Sequence, residues 1–61
     1  GKKNDALVAL EKAVSVNPDY MNAHIGLSKV LNEIGQKAEA EMHRLRAEEI
    51  KLAMAAMKGT N

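Results

Sequence analysis

The chain contains no cysteine and a single aromatic residue, Tyr20, and each shortage excludes a class of protein. Without cysteine there is neither a disulfide framework nor a metal site built on thiolates. Proteins that bind single-stranded nucleic acids stack the bases on aromatic side chains, which this sequence does not supply. A disulfide-rich scaffold and a base-stacking nucleic-acid binder are therefore both excluded.

An excess of charge of one sign is also lacking, and so are long apolar runs. Nine lysines and arginines stand against eight aspartates and glutamates, which leaves a formal net charge of +1. Nucleic acids and anionic membranes attract a clustered excess of positive charge, which is missing. No apolar run approaches the roughly 20 residues of a membrane-spanning helix, and no signal-peptide pattern is present. We expect no nucleic-acid and no membrane partner, and no feature indicates a cellular compartment.

The residues that are abundant favour helices. Alanine and leucine, both strong helix formers, supply much of the apolar fraction. Apolar positions recur at helical spacing over residues of about 4–16, 20–34 and 36–58. Pro18 separates the first two segments and Gly35 the last two, because proline disfavours helix in the residue before it and glycine readily ends a helix. The sequence predicts an all-α fold of three antiparallel helices.

Short-range signals suggest how the helices begin and which charges pair. Asn4 or Asp5 can cap helix one by accepting hydrogen bonds from the free N–H groups of the first turn, and Asp19 is the candidate cap of helix two. Arg44 and Glu48 lie one turn apart in helix three and can form an ion pair.

The predicted second helix has one apolar stripe and the third has two. The stripe of helix two contains Ala23, Leu27, Val30, Leu31 and Ile34. The first stripe of helix three contains Ala40, His43, Ala47, Ile50, Met54 and Met57. The second stripe, on nearly the opposite side, contains Met42, Leu45, Leu52 and Ala56. We expect the first stripe of helix three to pack on the other helices, whereas the second stripe has no partner in this chain.

An internal repeat appears when the chain is compared with itself at an offset of 34 residues. Gly1, Lys3, Ala6 and Ala13 then fall on Gly35, Lys37, Ala40 and Ala47. Together with Leu10, Val14, Asn17-Pro18, Ala23, Leu27-Ser28 and Leu31, these landmarks resemble the tetratricopeptide repeat. That family has a period of about 34 residues and two antiparallel helices in each unit.

The resemblance implies a single tetratricopeptide-like unit over residues 1–61. Residues of about 4–16 would be the second helix of a preceding repeat, and about 20–34 and 36–58 a complete repeat with an extended second helix. Leu52 stands where the family has a proline that ends this helix, which accounts for the extension. The resemblance further implies a C-terminal fragment, one and a half repeats long, of a longer array.

Catalysis and cofactor binding find no support in the sequence. Ser28 has no adjacent base and no oxyanion site in its sequence context, which a nucleophile needs. His24 and His43 are expected to be partly buried imidazoles at a contact between helices. Glu39 lies one turn before His43, but two ligands do not make a metal site. We predict no enzyme activity, no catalytic residue, no cofactor and no metal.

The resemblance implies protein or peptide binding as the function. In tetratricopeptide arrays the first helix of each repeat lines a groove that holds an extended peptide or a partner helix. The residues of this chain that map onto the groove are Asn22, Ile25, Gly26, Lys29, Asn32 and Glu33. Ile25 offers an apolar contact, and Gly26 allows a partner backbone to come close. The chain is thus predicted to be a non-enzymatic interaction or scaffolding module.

Two alternatives remain open. The first is self-association, in which the uncovered face of helix one and the second stripe of helix three form a homodimer. The candidate contact residues are Met42, Leu45, Leu52, Ala56 and Met57, and methionine adapts well to irregular partner surfaces. The same residues are also candidates for a contact with the rest of a parent protein. The second alternative is an accessory or regulatory domain of an enzyme whose catalytic part lies outside this chain.

Overall fold

A computed structural model describes residues 1–59, and every regular element in this range is an α-helix. Helix α1 spans Lys2–Val16, α2 spans Met21–Glu33 and α3 spans Lys37–Gly59. The predicted all-α fold of three helices is confirmed, and the predicted helix ends lie within two residues of the observed ones. Residues 60 and 61 lie outside the described range.

The start of α1 differs from the prediction. The sequence suggested Asn4 or Asp5 as the capping residue, but both lie inside the helix and Gly1 occupies the cap position without a side-chain hydrogen bond. Lysine is a good helix former, so Lys2 and Lys3 extend the helix toward the amino terminus. Asp5 lies in the first turn, where its negative charge interacts favourably with the helix dipole.

The turn between α1 and α2 is built on Asn17 and Pro18. The Asn17 side-chain oxygen accepts a hydrogen bond from the Asp19 backbone N–H at 3.2 Å, and its carbonyl accepts one from Tyr20 N–H at 3.0 Å. The prediction that Asp19 caps α2 is wrong, because Tyr20 is the cap residue and its side chain makes no capping bond. The Asp19 carboxylate binds Arg46 of α3 instead, at 2.9 Å.

Gly35 ends α2 as predicted. Its φ of +89° lies in the left-handed region, where a Cβ would be strained. This conformation brings the Gln36 N–H to the Leu31 carbonyl at 2.8 Å and the Gly35 N–H to the Asn32 carbonyl at 3.2 Å. Two carbonyls of the last turn thereby gain partners, and the chain reverses into α3 within three residues, 34–36.

Helix α2 lies between α1 and α3 and carries the core. Leu27 and Leu31 are 0% and 2% exposed, and Ala40 of α3 packs on them. From the other side α1 contributes Leu7, Leu10 and Val14, which are half-buried against the same cluster. Asp19, just before α2, contacts Arg46 of α3, whereas His24, further along α2, contacts His43, which comes earlier in α3. The two helices are therefore antiparallel.

The predicted core stripes extend beyond the observed core. Along α3 the buried positions are Ala40, Ala47 and Ile50, whereas Met54 is 50% exposed. The reason is geometric: α2 begins at Met21, so α3 continues past the end of the helix on which it packs. Ile34 was placed in the core of α2, but it lies at the helix end and is 38% exposed.

Candidate functional site

One side of α2 points away from both neighbouring helices, and we call it the outer face. It consists of the exposed residues Asn22, Ile25, Lys29, Asn32 and Glu33. Ile25 is 51% exposed, although it lies only two residues before the fully buried Leu27. An apolar side chain flanked by Asn22 and Lys29, about one turn away on either side, combines an apolar contact with polar groups that hydrogen-bond. Five of the six predicted groove residues thus lie together on one exposed surface.

Gly26, the sixth predicted groove residue, faces α1 rather than open solvent. A Cβ built on Gly26 would lie 3.0 Å from Cδ2 and 3.2 Å from Cδ1 of Leu10. Ordinary carbon–carbon contacts are about 3.5–4.0 Å, so the missing side chain is what allows α1 and α2 to approach here. Gly26 thus serves the packing of α1 on α2 within the chain.

A cleft of about 240 Å³ opens between α1 and the start of α2, next to the outer face. Its walls are formed by Leu10, Ala13, Tyr20, Asn22 and Ala23. Asn22 belongs both to this cleft and to the outer face, so the two surfaces are continuous. Sequence reasoning missed the cleft, because it arises from the way Leu10 and Ala13 of α1 lie against α2.

The second stripe of α3 is exposed as predicted. Met42 is 68% exposed, Leu45 is 49% exposed and Leu52 is 61% exposed, and Ala56 is exposed as well. Met57, the fifth candidate subunit-contact residue, is 75% exposed. Isolated exposed apolar residues are common on proteins, but several large ones along one helix face form a surface that a partner can cover.

A further face of α3 carries charged residues at positions whose counterparts in α1, related by the internal repeat, are apolar. At the offset of 34 residues, Leu7, Leu10 and Val14 of α1 correspond to Glu41, Arg44 and Glu48 of α3. The three α1 residues are the ones that pack on α2, whereas the three α3 residues are exposed. The charged face of α3 therefore lacks the apolar side chains with which α1 holds its neighbour, and it is poorly suited to stacking against another such helix.

The charges on this face are paired locally. The Arg44 side chain donates hydrogen bonds to both carboxylate oxygens of Glu41, rather than forming the predicted pair with Glu48. This hydrogen bonding holds the pKa of Glu41 below its usual range and raises the pKa of Arg44. The attraction of Glu48 contributes further to the raised pKa of Arg44. Both residues of the pair are more than half exposed, so the pair stabilises the fold only weakly.

The two histidines contact each other across the α2–α3 interface. His24 is 6% exposed, and its Nδ1 lies 3.0 Å from Nδ1 of the half-buried His43. The other ring nitrogen of His24, Nε2, lies 2.7 Å from the Pro18 carbonyl oxygen. The expected contact between helices is observed, but the mutual hydrogen bond was not predicted. His24 lies eleven residues before Gly35 and His43 eight residues after it, so counting from the turn does not pair them.

Metal-ligating side chains do not gather elsewhere in the described part of the chain. Among residues 1–59, no three histidine, aspartate or glutamate side chains come close enough together to hold a metal ion. The helices in the same range are also too short or too polar to cross a lipid bilayer.

Comparisons of the chain with protein-family models, with curated proteins and with solved structures find no match.

Proposed function

We propose that this chain is a non-enzymatic, tetratricopeptide-like interaction module that binds a protein partner through the outer face of α2. The observation that carries the proposal is the half-exposed Ile25 between Asn22 and Lys29, on a helix whose opposite side is the core of the fold. The partner would be an extended peptide or a short helix, which suits a narrow surface about three turns long.

The cleft beside the outer face supports this proposal. Its volume of about 240 Å³ accommodates one apolar side chain of a partner, with Leu10 and Ala13 as its α1 wall. A side chain in this cleft, a contact with Ile25 and a hydrogen bond to Lys29 or Asn22 would together anchor a peptide in one register. Binding energy of this kind concentrates in a few residues, so single substitutions are expected to report on it.

The experiment is a selection from a displayed library of random peptides, followed by affinity measurements on purified peptides. The test variant carries Ile25→Ala and Lys29→Ala, which remove the apolar contact and the cation from the outer face. Both residues are exposed, so the variant is expected to keep its helicity. The control carries Arg44→Ala and Glu48→Ala on the charged face of α3, which is also exposed.

We expect the test variant to weaken binding of the selected peptides by at least about tenfold, which corresponds to about 1.4 kcal/mol. The control variant is expected to bind as the unmodified chain does. The proposal is wrong if the selection yields no specific peptides. It is equally wrong if the selected peptides bind the Ile25→Ala, Lys29→Ala variant with unchanged affinity.

A second candidate function is self-association, and the exposed second stripe of α3 favours it. Met42, Leu45 and Leu52 present large apolar side chains along one helix, and burial of each would stabilise a dimer. Sedimentation velocity over a wide range of protein concentrations tests this function. A dimer that dissociates when Leu45→Lys and Leu52→Lys are introduced supports self-association, whereas a monomer at all concentrations excludes it.

A further inference from the structure

The hydrogen bonds around His24 form a chain that joins three segments of the protein. Pro18 in the first turn, His24 on α2 and His43 on α3 are linked by contacts of 2.7 Å and 3.0 Å. The imidazole planes are inclined at 30° with their centroids 5.2 Å apart. His24 is 6% exposed, so most of its ring is withdrawn from bulk solvent.

The Pro18 carbonyl determines where the protons lie. A carbonyl oxygen only accepts hydrogen bonds, so His24 must donate from Nε2. A neutral His24 then has a lone pair at Nδ1, and the hydrogen bond between the two rings requires His43 to donate from Nδ1. We therefore assign the Nε2–H tautomer to His24 and the Nδ1–H tautomer to His43.

This arrangement accepts one additional proton but not two. A proton added at Nε2 of His43 leaves its Nδ1–H in place, and the hydrogen bond to His24 becomes charge-assisted. A second proton has to enter at Nδ1 of His24, the acceptor of that bond. Two N–H donors and two positive charges would then oppose each other across 3.0 Å in a buried setting.

The charged groups around the pair do not relieve this conflict. A cavity of about 330 Å³ beside the rings is lined on its α1 side by the apolar Val14 and on its α3 side by Met42 and Arg46. The Arg46 guanidinium lines the same cavity and already holds two carboxylates, Asp19 at 2.9 Å and Glu49 at 3.4 Å. Glu39, one turn before His43 on α3, is exposed.

We infer that the His24–His43 contact is an acid-sensitive latch that holds α3 on α2 and on the α1–α2 turn. The folded chain holds at most one additional proton on the pair, whereas the unfolded chain binds two. Protons on such a pair belong to the pair rather than to one residue, so the proton count is the relevant quantity. Because the unfolded state binds more protons, stability is present at neutral pH and is lost as the pH falls.

The unmodified chain provides a direct test, because His24 and His43 are its two histidines and other side-chain types change charge mostly outside roughly pH 5 to 8. Urea unfolding followed by circular dichroism would be measured at several pH values in that range. A difference of one proton predicts that the unfolding equilibrium constant rises by up to about tenfold for each pH unit of acidification. An unfolding constant that does not change with pH would overturn the inference.

A substitution and a spectrum distinguish the latch from a merely structural contact. His43→Gln retains a donor toward His24 Nδ1, and its amide can turn to accept when His24 is protonated, so the dependence on pH should largely disappear. Arg44→Gln, on an exposed position of the same helix, should keep the dependence of the unmodified chain.

Nitrogen NMR of the unmodified chain near about pH 7.5 should show the Nε2–H tautomer for His24 and Nδ1–H for His43. Finding His24 in the Nδ1–H tautomer would overturn the assignment and the latch with it. This spectrum needs no variant, so the inference remains testable if His43→Gln does not fold.

Discussion

Replacing Gly26 by alanine sets two opposing effects against each other, and the structure gives their sizes. Alanine in a helix interior is favoured over glycine by about 0.5–1 kcal/mol. Against this, the new Cβ would lie 3.0 Å and 3.2 Å from the two methyl carbons of Leu10. Overpacking of this kind costs about 1–3 kcal/mol. Because the Leu10 methyls are the mobile end of a half-buried side chain, we place the cost at about 1–1.5 kcal/mol, toward the lower end of this range.

The net expectation is that Gly26→Ala destabilises the chain slightly, by about 0–1 kcal/mol. In a Leu10→Ala background the conflict is absent, and the same substitution should stabilise the chain by about 0.5–1 kcal/mol. The double-mutant cycle therefore predicts a coupling of about 1 kcal/mol or more between the two positions.

Urea unfolding of the four chains, followed by far-UV circular dichroism, measures this coupling. If Leu10→Ala proves too unstable, Leu10→Val provides a milder background in which the conflict is reduced. An equal effect of Gly26→Ala in both backgrounds would refute the reasoning, because it would mean that Gly26 does not face Leu10. The close approach of Leu10 would then no longer explain why residue 26 of α2 is a glycine.

The remaining predictions concern the core, the second turn and the charged face. Leu27→Ala should lower the free energy of unfolding by about 3–5 kcal/mol, which equals or exceeds the stability expected of a chain this small. Circular dichroism should therefore show an unfolded variant, whereas the exposed control Lys29→Ala should stay helical. Gly35→Ala should cost about 1–2 kcal/mol in urea unfolding because of the left-handed φ at this residue, and Gly35→Asn should cost less. NMR titration of Glu41 should show its pKa below the usual glutamate value, and Arg44→Gln should return it toward that value. Because this pKa is lowered in the folded chain, the pair stabilises the fold above the pKa of an unfolded glutamate and loses its effect as the pH falls through the folded value. An unchanged Glu41 titration in Arg44→Gln would contradict the observed ion pair.

Local features of the sequence were sufficient to predict the three helices. Alanine and leucine at helical spacing, Pro18 after α1 and Gly35 after α2 all act within a few residues of the chain. Asp19 was predicted to cap α2, but its carboxylate binds Arg46, which is 27 residues away in the sequence. An N-cap interaction is a local preference, and here an ion pair formed by the tertiary structure replaces it.

The candidate site shows the same division between local and long-range effects. The exposed positions of α2 follow from its helical periodicity, so the outer face around Ile25 could be predicted. The orientation of Gly26 toward Leu10, and the exposure of Met54 beyond the start of α2, depend on the register between helices. The Nδ1–Nδ1 contact of His24 with His43 depends on that register as well, because it joins residues 19 apart.

The most direct test of the proposed function is a ¹H–¹⁵N NMR titration of the chain with a peptide selected from the displayed library. Binding to the outer face predicts that the largest shift changes fall on Asn22, Ile25 and Lys29, with smaller ones at Leu10 and Ala13 beside the cleft. Shift changes confined to Met42, Leu45 and Leu52 would contradict it and would place the binding surface on α3.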